Sequence, residues 1–240
     1  MLVEVCANSL ESALNAQKAG ADRIELCAEL GVGGITPSYG LLKSVREKIK
    51  IPVHVLIRPR SGDFTYSVFE FDTMLKDISL CVDLGFDGVV SGVLHSDLAL
   101  DVERCKELKE TAKTLKFTFH RAFDWIKNPF VALEQLEQIG VDCILTSGQQ
   151  KKAVEGIELL VALHHKAVNC IIMPGSGIHL QNAMLFKEKN FRIIHLSGTT
   201  ILEKNANLRA LPMSSFKLMQ EDKIVISNID IIKDIIDRVK

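Results

Sequence analysis

Eight times along 240 residues, a short run rich in β-branched residues is followed by a longer amphipathic run, and this alternation constrains the fold more than any other feature. Strand–helix repeats of this kind build parallel sheets, because each parallel pair needs a crossover and a helix supplies it. The strand-like runs cover residues 2–6, 22–27, 52–58, 87–93, 115–121, 141–147, 169–174 and 192–197. Helical runs cover 9–19, the stretch ending near 48, and 69–84, 101–113, 129–139, 151–165, 180–188 and 229–239. Asn8 reads as the first N-cap, and Gly20 and Gly85 as helix stops. Eight units of this kind predict an α/β fold, a TIM-type (β/α)8 barrel forming a single domain over residues 1–240. Residues 201–228 break the rhythm. They are long and poorly periodic, and read as an excursion that covers a barrel end or meets another subunit.

The period-two pattern inside the strands says which side chains face the barrel axis. Val3 and Val5 alternate with Glu4 and Cys6, and Ile24 and Leu26 with Glu25 and Cys27. The same holds for Val53, Val55 and Ile57 against His54 and Arg58, and for Phe117 and Phe119 against Thr118 and His120. Ile194 and Leu196 alternate in turn with His195 and Ser197. Outer helices cover the outward face, so the apolar set points out and the polar set points in. Barrel interiors are ordinarily filled by branched apolar side chains, and burying an ion costs several kcal/mol unless it is paired. Two readings follow. The polar set is an internal salt-bridge network, with Arg58 and the histidines satisfying Glu4 and Glu25, or it is a working site at the C-terminal ends of the strands.

The loops after the strands favour a site. Ser147 and Gly148 follow the sixth strand, and Gly175, Ser176 and Gly177 the seventh. Barrels bind phosphate at such places through backbone N–H groups. Arg58 and Arg121 add guanidinium donors suited to a carboxylate or a phosphate. A formal net charge of −1 gives no general attraction to nucleic acid or anionic lipid. No apolar stretch is long enough to span a membrane, and the N-terminus lacks a signal-peptide pattern, so a cytoplasmic protein is expected. Six cysteines form no C-x-x-C pair and read as reduced thiols.

Several blocks together resemble the CutC copper-homeostasis family. They include Val3-Glu4-Val5-Cys6, the run from Gly20 through Asp22-Arg23-Ile24-Glu25-Leu26-Cys27, and Gly33-Gly34-Ile35-Thr36-Pro37-Ser38. Ile57-Arg58-Pro59-Arg60, Gly62-Asp63-Phe64, Thr118-Phe119-His120-Arg121-Ala122-Phe123-Asp124 and Leu145-Thr146-Ser147-Gly148 continue the match, which fades beyond Thr200. The resemblance implies a barrel, a cytoplasmic location, a homodimer or homotetramer, and a role in copper handling. The residues offer a ligand set for it. Cys6 and Cys27 end neighbouring strands about 5 Å apart, and two thiolates suit Cu(I); the alternative is that both are small buried hydrophobes.

The hard and cationic groups around them suit an oxygen-rich anion better. The alternative function is therefore a barrel enzyme of lyase, aldolase or isomerase type, acting on a small phosphorylated or carboxylated metabolite. In that reading Glu25 or His120 serves as general acid or base, and Arg58 and Arg121 clamp the anion. Ser147, Gly148, Gly175, Ser176 and Gly177 would cradle its phosphate. No lysine stands at an inward strand end, which disfavours a Schiff base, and no organic cofactor is indicated. Whether the chain is an enzyme stays open at this point.

Overall fold

The computed structural model describes residues 1–203 and 223–240. Its centre is a parallel sheet of β1 (Leu2–Ala7), β2 (Arg23–Leu26), β3 (Val53–Leu56), β4 (Gly88–Ser91), β5 (Lys116–Phe119), β6 (Cys143–Thr146), β7 (Ile171–Pro174) and β8 (Ile193–Leu196). The strands run in the order β7-β6-β5-β4-β3-β2-β1-β8. A parallel bridge from Gly175 to His195 draws the two end strands together, so the sheet is a nearly closed barrel. Helices α1 (Leu10–Lys18), α2 (Tyr39–Lys48), α3 (Val68–Asp83), α4 (Val102–Thr111), α5 (Pro129–Ile139), α6 (Ile157–Lys166) and α7 (Ala183–Glu188) make the crossovers. The last helix, α8 (Ile229–Val239), completes the outer ring. The expected (β/α)8 barrel is what forms.

Alternation in the strands divides the interior as the sequence dictates. Val3, Val5, Ile24, Leu26, Phe117 and Ile194 face out and join one large apolar cluster with the inner faces of the helices. Each such side chain contributes about 1.5–3 kcal/mol when fully buried. Among the described residues, the apolar side chains inside the barrel form two small groups, Cys6, Cys27, Leu56 and Val90, and Cys143, Leu145, Met173 and Ile193. The rest of the axis is polar. Strand register sets Glu4 beside both Arg23 and His195, and Glu25 beside both Cys6 and His54.

The ends of the helices show where local sequence was misleading. Ser9, not Asn8, caps α1, accepting from the Ser12 N–H at 3.0 Å. Asn8 instead accepts from the Ser12 hydroxyl and donates to the Val225 carbonyl. Gly20 and Gly85 stop their helices at φ 91° and 69°, where a side chain is disfavoured. The sixth helix begins at Ile157 rather than near 151, because the chain first doubles back so that Gly148 and Gly156 touch. A Cβ on Gly148, itself at φ 67°, would lie 2.3 Å from the Gly156 carbonyl oxygen. Gly148→Ala is expected to cost about 2–3 kcal/mol in urea unfolding, from backbone collision and left-handed strain together. A change below about 0.5 kcal/mol, within the range of an ordinary surface substitution, would show that this contact yields.

The described part of the C-terminal excursion is an antiparallel hairpin of β9 (Thr199–Glu203) and β10 (Lys223–Ser227). Asn15 donates to the Ser227 carbonyl, and the Ser227 N–H donates to the Ser12 hydroxyl, so the hairpin sits against α1 near the C-terminal end of the barrel. The rest of the expected excursion, residues 204–222, lies outside the described residues. No described helix is long and apolar enough to cross a membrane.

Candidate functional site

The C-terminal ends of the strands surround a cavity of about 490 Å³. Cys6, Glu25 and His195 reach it from β1, β2 and β8, and Arg58 and His120 from just past the C-terminal ends of β3 and β5. Phe64, Trp125 and Ile178 supply an apolar rim.

At one wall, the Cys6 and Cys27 sulfurs lie 3.5 Å apart, both as free thiols. Cys27 is buried, and Cys6 opens on the cavity. Bonding to Cys27, burial and the nearby Glu25 carboxyl all push the Cys6 thiol well above its usual range. The ligand atoms of Cys6, Glu25 and His195 lie within 4.8 Å of one another.

Below them runs a line of alternating charges. Glu4 is buried, with one oxygen bonded to the Arg23 guanidinium and the other 2.7 Å from His195 Nδ1. Burial alone would raise its pKa, but Arg23 and His195 outweigh it and carry Glu4 down to about 2. His195 Nε2 stands 3.8 Å from Glu25. Burial works against a charge on this imidazole, yet Glu25 and Glu4 raise its pKa. Burial raises Glu25, in spite of His195. Of the expected partners, Arg58 and the histidines, a histidine does hold Glu4, but Arg58 does not. The arginine partner is Arg23, which shares the inward parity of Glu25 and Cys27 and is found by carrying the alternation back one residue. Arg23 Nη2 also approaches Met173 Sδ at 3.5 Å, so Met173 packs below the cavity.

Arg58 is held elsewhere. Its Nη1 donates to the Val32 and Gly34 carbonyls and its Nη2 to the Gly62 carbonyl, at 2.6–2.9 Å, with the guanidinium over the Phe64 ring. His120 Nδ1 accepts the Ala122 N–H at 3.3 Å. Burial and the Arg58 charge push this imidazole down to about 3. The ring is thus neutral, and the bond at Nδ1 assigns its proton to Nε2. Of the two groups expected to serve in acid–base chemistry, Glu25 has its pKa raised by burial and His120 is a neutral ring.

The expected phosphate cradle is narrower than the sequence implied. Asp124 accepts from the N–H groups of Ser147 and Gln149, from the Thr146 hydroxyl and from Arg121 Nε. The Gly148 N–H bonds Thr146 Oγ1, and the Gly175 N–H bonds the Thr146 carbonyl. The amides of Ser147, Gly148 and Gly175 are therefore engaged within the protein, and Arg121 braces the Ser147 hydroxyl at 2.9 Å. Ser176 and Gly177 alone of that set line the cavity, both at positive φ. Asp124 was the missing element in the sequence reading. A carboxylate three residues after Arg121 signals a local ion pair, but nothing in the sequence marks it as the acceptor for a loop more than 20 residues away.

Comparison with known proteins gives one consistent relationship. Residues 1–200 match the model of the CutC family. A CutC family protein of Enterobacter sp. (strain 638) is 48% identical over 197 residues, covering 82% of this chain and 80% of that one. A Salmonella paratyphi A CutC family protein is 45% identical over 222 residues, covering 92% and 90%. Among solved structures, a CutC protein from Streptococcus agalactiae superposes with TM-score 0.77 at 34% identity, over 81% of this chain and 97% of that one. The thiamine phosphate pyrophosphorylase of Pyrococcus furiosus superposes with TM-score 0.62 at 15% identity, covering 99% and 95%, which is a likeness of fold alone.

Proposed function

The chain belongs to the CutC family, and from that premise we propose that it handles copper, holding Cu(I) on the thiolates of Cys6 and Cys27 in the barrel mouth. The observation that carries this reading is the 3.5 Å approach of two free thiols from neighbouring strands, one of which opens on the cavity. Thiolates are the soft ligands Cu(I) prefers. His195 supports it as a third donor, since an imidazole whose other nitrogen is held by a carboxylate is oriented for an ion, and Glu4 holds Nδ1. The name of the Streptococcus agalactiae relative ties that protein to copper homeostasis. In this reading copper is cargo. Six free cysteines fit the reducing cytoplasm, and the family resemblance favours a homodimer or homotetramer there.

The test is Cu(I) affinity by competition with a calibrated chelator, under reducing conditions, on wild type and on the Cys6→Ser, Cys27→Ser double variant. Wild type is expected to bind tightly and the variant at least about a hundredfold more weakly, a difference of about 2.7 kcal/mol. Equal affinity in the two overturns the assignment. Because Cys6 is a free thiol whose pKa is raised by Cys27, burial and Glu25, copper must displace its proton. Cys27 is a free thiol as well, so binding on both thiolates releases up to two protons, and apparent affinity should rise between tenfold and about a hundredfold per pH unit between about pH 6 and 8. An affinity that ignores pH places the metal off these thiols.

A further inference from the structure

We infer that the barrel mouth is also a binding site for a small organic anion, a carboxylate or phosphate ester, held by the Arg58 guanidinium and the Nε2–H of His120. Among the described residues, Arg58 is the arginine whose charge is buried without a counter-charge. It is 6% exposed, and its bonds go to three neutral carbonyls. Arg23, Arg60, Arg104 and Arg121 each face a carboxylate within 4 Å. A buried cation without a partner is costly, and an anion is what relieves it.

A second, independent observation points to the same space. His120 is 4% exposed and lines the cavity, and its Nε2 has no hydrogen-bond partner among the described residues; Arg58 Nε is likewise unpartnered. Buried polar atoms are nearly always bonded, so two orphan donors in one cavity wall call for an acceptor. The Phe64 ring packs against both, 5.0 Å from the guanidinium carbon and 4.8 Å from the imidazole centroid. The two side chains are thus neighbours, and both residues line the same cavity. A cation is disfavoured here: Arg58 repels it, and the His120 lone pair is taken by the Ala122 N–H. A volume of about 490 Å³ falls in the range of small-molecule sites, and Phe64, Trp125 and Ile178 give the carbon body an apolar wall. Neither thiol takes part, so this site stands or falls separately from the copper reading.

Trp125 is the chain's single tryptophan and lines this cavity, so its fluorescence reports on it. Metal-free, reduced protein would be titrated with phenylacetate and citrate in one arm and phenyl phosphate and glycerol 3-phosphate in the other. Choline at matched ionic strength is the control, and calorimetry runs in parallel. Saturable binding is expected in at least one anion arm and not with choline; the arm that saturates identifies the head group. His120→Phe, which keeps a ring against Phe64, should weaken binding about tenfold or more, as for loss of one charge-assisted bond. Arg58→Gln should weaken it further; if that variant does not fold, His120→Phe decides. No saturation in either arm, or unchanged affinity in His120→Phe, overturns the inference.

Discussion

Replacing Arg23 by methionine is expected to cost about 3–5 kcal/mol of folding stability, the range found when one member of a buried ion pair is removed. Glu4 lies wholly inside the barrel, and Arg23 is the strongest influence keeping it ionised there. Without the guanidinium, a carboxylate is left in a low-dielectric interior with His195 as its remaining charged partner. Methionine matches the volume and faces Met173 and Cys143 comfortably, so a cavity does not account for the loss. The same argument predicts rescue. In Arg23→Met, Glu4→Gln the uncompensated charge is gone, and the amide oxygen still accepts from His195. Most of the lost stability should return, giving a large coupling energy in a double-mutant cycle. Urea unfolding of the four proteins checks this. Additive losses would mean that the two residues act through packing rather than through their charges.

The architecture was legible because two periods in the sequence agree. Helical periodicity between the strands and alternation within them both require a barrel clad in helices, and Val3, Ile24, Phe117 and Ile194 pack outward accordingly. Alternation also placed Glu4, Glu25, His54, His120 and the Cys6–Cys27 pair inside, where burial confirms them. What stayed hidden was how they pair. Register decides that, and register depends on strands meeting across the barrel: Glu4 lies level with Arg23 and His195 only because β1 sits between β2 and β8. Arg58 shows the same limit from another direction. As an inward arginine it looks like the counter-ion of the interior carboxylates. Three of its five N–H donors are claimed by carbonyls of Val32, Gly34 and Gly62, in loops whose paths rest on glycines at positive φ. The hydroxyl- and glycine-rich turn at 146–148 likewise resembles an anion cradle until Asp124 and the Thr146 hydroxyl are seen to occupy its donors. Such loops are written in local sequence, but their partners are chosen by the fold.

Between about pH 6.5 and 4.5 the protein is expected to lose about 3–5 kcal/mol of stability, and His54 and His120 are the cause. Burial holds His54 at about 4 and His120 at about 3. An unfolded histidine takes its proton near 6.5. Below that pH the unfolded chain binds two protons that the fold refuses, so stability falls as pH falls, by about 1.4 kcal/mol per unit for each imidazole. Glu25 partly opposes this. Burial raises its folded pKa, so it takes a proton in the fold before it would in the unfolded chain, and stability is returned in that window. His195, raised by its carboxylates, contributes stability that is complete below 6.5 and is lost only as pH climbs through its folded value, so it leaves the acid slope alone. Below 4.5 Glu4 adds to the loss, because its stabilisation disappears as pH falls toward about 2. Domains of this kind hold about 5–15 kcal/mol in total, so acid unfolding should begin well above the pH where most surface carboxylates are protonated. Urea midpoints measured across this range give the slope directly. His120→Phe removes one of the two refused protons and should flatten the slope by about 1.4 kcal/mol per pH unit. If the variant keeps the wild-type slope, His120 is not buried as a neutral ring, and the donor at Nε2 is lost with it.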